Sequence, residues 1–121
     1  MSDLGMIVKK EAAKMKVNTP GTRVWEYFTN ELTSLGLAVA EIDGFYPSKE
    51  KWATNTDVDE MYYVMGGSGR ITFEGKEPAK IEPGDAVLIP KSVKFRVEGN
   101  ALKIVVPTSP AWYAEQHKYI D

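Results

Sequence analysis

The residues able to do chemistry in this chain are few, and most fall between Trp52 and Phe95. Glu60 and Tyr62 stand two apart in the aromatic-rich run E-M-Y-Y-V-M, which predicts a strand over residues 60–65. Side chains alternate across a strand, so Glu60, Tyr62 and Val64 share one face, and Met61, Tyr63 and Met65 the other. By the same rule Trp52, Thr54 and Thr56 share a face, as do Val93, Phe95 and Val97. Brought together, these faces make an aromatic-rimmed cavity with one carboxylate, one phenol and two hydroxyls, the mixture a small-molecule site needs. The candidate ligand-binding residues are Trp52, Thr54, Thr56, Glu60, Tyr62 and Phe95. A carboxylate facing an apolar interior is costly unless paired or hydrogen-bonded. With a raised pKa it can act as a general acid or base, which makes Glu60 and Tyr62 the candidate catalytic pair. Two structural readings compete: Glu60 only ties strands in register, and Trp52, Tyr62 and Phe95 only fill a core.

Other chemistries are excluded by composition. There is no cysteine, so disulfides, thiolate catalysis and zinc–thiolate sites are out. The single histidine, His117, has no supporting Ser-His-Asp pattern; it reads as a surface residue, the alternative being that it folds back over the barrel mouth. Gly66-Gly67-Ser68-Gly69 leads into a strand and not a helix, so it reads as a hairpin turn and not a phosphate cradle. With 15 basic and 17 acidic residues the formal charge is −2, which gives no reason to expect a nucleic-acid partner. The densest basic stretch, Lys9, Lys10, Lys14 and Lys16, reads as a solvated terminal segment. No apolar run reaches the ~18 residues of a membrane span, and the first residues lack a signal-peptide pattern. A cytoplasmic protein with no membrane partner is expected.

The elements that must position these residues are short strands separated by turns. Strands are predicted over residues 6–8, 23–29, 37–42, 52–56, 60–65, 70–73, 79–81, 86–89, 93–97 and 102–106, with a turn of helix over 10–15. Asn18-Thr19-Pro20-Gly21, Asp43-Gly44 and Glu82-Pro83-Gly84-Asp85 are turn signals, and Pro107 and Pro110 are expected to stop the last strand. The run over 86–89 is apolar throughout, as in a strand buried on both faces. Many short strands at near-regular spacing predict an all-β sandwich or barrel, and 121 residues suit one domain, 1–121.

From residue 52 to residue 112 the spacing resembles the cupin superfamily, small jelly-roll barrels of the double-stranded β-helix type. The first cupin motif is typically His-x-His, three or four residues, Glu, six residues, Gly; Glu60 and Gly67 match its end, with Thr54 and Thr56 read at the histidine positions. The second is typically Gly, five residues, Pro-x-Gly, two residues, His, three residues, Asn. Gly84 and Pro90 match, while Ser92, Phe95 and Gly99 replace the rest. The chain therefore resembles the histidine-poor cupins that include the C-terminal domain of the ethanolamine-utilisation Q protein, through W-A-T-N-T-D-V-D-E, G-D-A-V-L-I-P-K and P-A-W. The resemblance implies a cupin jelly roll with no metal ligands and no cofactor, and a homodimer. Met61, Tyr63 and Met65 also suggest a covered outer face. The expected function is metal-free binding of a small polar molecule in the barrel. The alternatives are an isomerase, epimerase or lyase using Glu60 and Tyr62, and a non-catalytic accessory protein.

Overall fold

A computed structural model describes residues 7–29 and 34–121. Among the described residues nine strands form one continuous, curled, antiparallel sheet: β1 (Lys14–Thr19), β2 (Thr22–Phe28), β3 (Gly36–Tyr46), β4 (Trp52–Asn55), β5 (Asp59–Phe73), β6 (Ala79–Ile81), β7 (Ala86–Ile89), β8 (Phe95–Ser109) and β9 (His117–Ile120). Along the main path the order is β1-β2-β3-β8-β4-β9, and β5 joins β8 while carrying β6 and β7 on its other edge. The fold is a jelly-roll barrel, all-β as expected. Its core is the inward set Ile42, Val64, Ile71, Ile89, Phe95, Val97, Leu102 and Ile104, each 2 % exposed or less.

Two strands of 15 residues, β5 and β8, pair along most of their length and curl round both walls of the barrel. The expected hairpin at Gly66–Gly69 is not formed. The chain runs straight through it, with register shifts between Val64 and Ser68. Glycine is needed because the strands cross here at backbone contact. Gly67 has φ 69°, and a Cβ on it would strike the carbonyl of Ala101. Gly99, opposite Gly69, lies just as close to the carbonyl of Ile42. These glycines make bulges, which bend a strand without ending it.

The same mechanism corrects other expected ends. Asp43-Gly44 bulges β3, which continues to Tyr46. Residues 93–97 and 102–106 belong to the single strand β8, and Pro107 lies inside it. Ile7 and Val8 are not in a strand, and Met6 lies outside the described residues. The helical turn is a 3₁₀ turn at Lys10–Ala12. After it the basic segment becomes β1, paired with β2. β7 is not buried on both faces: Leu88 is 61 % exposed.

The outer face of the main sheet carries an apolar row in register: Met15, Trp25, Val39, Val105, Tyr63, Ala86. Met61, Met65 and Leu88 extend it, and all three are exposed. A charged row, Arg23, Glu41 and Lys103, borders it, with Arg23 bonded to Glu41.

Gly67→Ala should destabilise the fold by about 2–4 kcal/mol, from the positive φ and the blocked crossing together. Urea denaturation would show it, and a midpoint unchanged from the parent would contradict the crossing as the reason for this glycine.

Candidate functional site

A cavity open to solvent runs along the inner faces of β2 and β3. It exists because β3 turns small side chains inward. Ala38 and Ala40 take successive inward positions, beside Glu26 and Val24 on β2 and beside Val106 and Ile104 on β8. Larger residues there would fill the space. The lining also includes Tyr46, at the end of β3, with Glu60, Tyr62, Trp112 and His117.

Glu60 and Tyr62 line this cavity. Among the described residues no cation pairs with Glu60. Burial pushes its carboxyl up to about 7, against a smaller downward pull from the Asn55 amide. Burial likewise raises the Tyr62 phenol well above its ordinary value, helped by the charge of Glu60, so Tyr62 stays neutral.

The other four sequence candidates lie elsewhere. Phe95 is fully buried beneath the cavity, edge-on to Tyr62. Trp52 is half-buried under the Arg96 guanidinium, 4.2 Å from its ring centroid. Thr54 is buried away from the cavity, and Thr56 donates its hydroxyl to the Gln116 carbonyl at 2.7 Å. Trp52, Thr54 and Thr56 do share a face, but it is the face turned from the cavity. Ala53 and Asn55 are the inward pair, buried at 0 % and 1 % exposure. The motif permits three or four residues before its Glu, and the four-residue spacing is the one that matches strand alternation here.

Asn55 anchors a group that sequence reasoning missed. Its Oδ1 accepts from Trp112 Nε1 at 3.3 Å, Gln116 Nε2 at 2.9 Å and His117 Nδ1 at 2.7 Å. Indole N–H can only donate, so the atom it faces is the amide oxygen. His117 is therefore not a surface residue. The strand β9 pairs with β4 and carries the imidazole into the cavity wall. Burial, with the nearby charge of Lys16, lowers it to about 4, so it is neutral. Its one proton is on Nδ1, facing Asn55, and its bare Nε2 accepts the Tyr46 hydroxyl at 2.6 Å. Burial above all, and then the neighbouring Tyr119, raises the Tyr46 phenol. The sequence signal was the alternation H-K-Y-I at the end of the chain, too short to stand alone.

At the mouth Lys16 pairs with Glu26 at 2.9 Å and lies 4.9 Å from the Trp112 ring centroid.

Residues 47–104 match a family model described as an EutQ-like cupin domain. The fold is similar to that of Pac13 from Streptomyces, a nucleoside dehydratase: a uridine-bound variant aligns at TM-score 0.81 and 16 % identity, over 96 % of this chain and 91 % of that one. The chain has the cupin fold. An RmlC-like cupin from Shewanella frigidimarina aligns at TM-score 0.70 and 14 % identity, over 91 % and 94 % of the two chains. KdgF from Halomonas sp. aligns at 0.68 and 17 %, over 84 % and 90 %. No curated protein sequence matches.

A metal-binding cupin needs several imidazoles beside its carboxylate. This chain has Ala53, Asn55 and Phe95 at the inward motif positions, and the Asn55 oxygen is already occupied by three donors. Among the described residues no three His, Cys, Asp or Glu side chains converge. The donor set does not fit a transition metal.

The two titrating groups act on stability in opposite directions. Glu60 is raised from 4.5 to about 7, so its contribution is full below pH 4.5 and is lost as pH rises to about 7. His117 is lowered from 6.5 to about 4, so its contribution is full above pH 6.5 and is lost as pH falls to about 4. Each span is worth about 3 kcal/mol, and the slopes oppose between pH 4.5 and 6.5. Glu60→Gln should therefore gain stability relative to the parent by about 3 kcal/mol between pH 4.5 and 7.5. Chemical denaturation at several pH values gives the difference, and a flat difference would mean that Glu60 titrates as an exposed carboxylate.

Proposed function

We propose that this cupin binds a small polar molecule in its barrel cavity without a metal, and that Glu60 is the carboxyl that meets it. The observation that carries the reading is a buried carboxyl with no cation partner on the wall of a cavity floored by alanines. A structural strut would have a charge partner; Glu60 has none among the described residues. A protein retains such a group at a cost in stability, which fits a role in binding. The uridine-bound structure of similar fold supports the reading, as a barrel of this shape that holds a small polar molecule.

A second reading is favoured by one observation, the carboxyl poised near 7. Glu60 would then take a proton from the bound molecule when ionised and return one when protonated, while the neutral Tyr62 phenol donates a hydrogen bond to an oxygen where charge develops. That is chemistry of the isomerase, epimerase or lyase kind, and a dehydratase has a similar fold.

Binding is tested by a thermal-shift and calorimetric screen of monosaccharides, nucleosides, small amines and small carboxylates. Ala38→Leu fills the cavity and should abolish binding of any ligand found, with the melting temperature kept or raised. Glu60→Gln should weaken it about tenfold or more while the fold remains stable. Unchanged affinity in both variants would remove the cavity as the site.

The apolar row across the outer sheet is the basis for a second proposal, a homodimer packed face to face. Light scattering should give twice the 13.5 kDa chain mass, and Tyr63→Glu should return the monomer. A parent that is monomeric at all concentrations would contradict it.

A further inference from the structure

We infer that Asn55 and His117 are positioning residues that hold the Tyr46 phenol as a hydrogen-bond acceptor toward the cavity, so that the site takes a neutral, hydroxyl-bearing ring molecule and not an acid. The inference rests on the binding reading above and names the class of molecule bound.

The argument follows one chain of hydrogen bonds. Three donors fix the Asn55 oxygen toward the C-terminal segment. An amide oxygen cannot donate, so the proton between it and His117 sits on Nδ1. A neutral imidazole has only one, which leaves Nε2 bare. Tyr46 also has one proton, and its 2.6 Å bond to Nε2 consumes it. Tyr46 also shares a side-chain hydrogen bond with Tyr119, which takes one lone pair, so what it can still offer the cavity it lines is the other. The molecule that meets it must donate, through a hydroxyl or an N–H.

The remaining groups narrow the class. Thr22 and Thr108 line the cavity with buried hydroxyls that have no protein partner. Those oxygens are closed off behind the cavity wall and add no charge to it. Lys16 is the cation lining the cavity among the described residues, and Glu26 holds it at 2.9 Å. An acidic ligand would meet Glu26 and Glu60 and find no free cation. Val24, Ala40, Ile104 and Val106 offer an aliphatic floor to a ring's C–H face. Monosaccharides and the ribosyl part of nucleosides share this chemistry.

The full-length chain tests both halves. His117 is its only histidine, so the ¹⁵N spectrum of the labelled protein reports one imidazole. Between pH 6 and 8 it should be neutral, with Nδ1 protonated and Nε2 bare. The opposite tautomer, or a doubly protonated ring at pH 6, overturns the positioning claim. Calorimetry then compares glucose, galactose and uridine with glucuronate, galacturonate and uridine 5′-phosphate. At least one neutral member should bind about tenfold tighter than its acid. Tyr46→Phe should cost that member about tenfold while the melting temperature moves by about 2 °C or less. Asn55→Asp gives the imidazole a carboxylate partner and a second proton, which turns Nε2 into a donor toward Tyr46; it should cost a similar factor with Tyr46 still in place. Tighter binding of the acids overturns the class and leaves cavity binding intact. Full affinity in Tyr46→Phe overturns the role of Tyr46. Binding of none of the six overturns the binding reading, and the class with it.

Discussion

The Asn55 side chain is 1 % exposed, and its oxygen gathers donors from Trp112, Gln116 and His117, all in the C-terminal segment. Gln116 answers with its own oxygen, which accepts the backbone N–H of Asp57 and Val58. Its carbonyl takes the N–H and the hydroxyl of Thr56. The end of the chain is thus sewn to the strand before Glu60 by polar bonds buried in an apolar barrel. Each is worth about 1 kcal/mol when made and more when broken, because the orphaned partner stays buried. The cavity depends on this seam. Without it neither Trp112 nor His117 reaches the wall, and Tyr46 loses the acceptor that orients its hydroxyl.

The parts of the fold legible in the sequence are those set by alternation and burial. Residues 60–65 read as a strand with Glu60, Tyr62 and Val64 inward, and they are buried as read. The cupin resemblance was carried by turn residues at fixed spacing, and the family match over residues 47–104 agrees with it. The continuity of β5 and β8 was not legible. A glycine run is the usual mark of a hairpin, and only the crossing of β8 at Ala101 shows that Gly67 is there for clearance. Leu88 was read as buried because it is apolar, but exposure on an outer sheet face is decided by tertiary neighbours. β1 was hidden by its lysines, which alternate with Met15 and Val17 on an edge strand, where charge is common.

The candidate site was half legible for a related reason. Strand alternation fixes which residues go together and not which set faces in. Trp52, Thr54 and Thr56 were grouped correctly and assigned to the wrong side. The neighbouring set, Ala53 and Asn55, looked inert because alanine and asparagine advertise no chemistry. His117 lies 57 residues after Glu60, and no local pattern joins them. The bond that does join them runs through Asn55, between strands that meet only in the folded barrel.

This arrangement also explains how the barrel keeps a carboxyl and an imidazole in one apolar cavity. In a metal-binding cupin the inward motif positions supply imidazoles, and the metal's charge offsets the burial of the carboxylate. Here the corresponding strand supplies Asn55, and the imidazole arrives from β9 with its Nδ1–H directed at the amide oxygen. A carboxylate in place of that amide would draw a second proton onto the ring; the neutral oxygen leaves it with one. Burial then holds Glu60 near neutrality and His117 uncharged, and the two penalties slope oppositely with pH. At pH 7 the charge on the cavity wall is therefore a half-ionised Glu60 and the Lys16–Glu26 pair, with no free cation among the described residues. The cavity's recognition must come from the direction of hydrogen bonds, which the asparagine sets through the histidine.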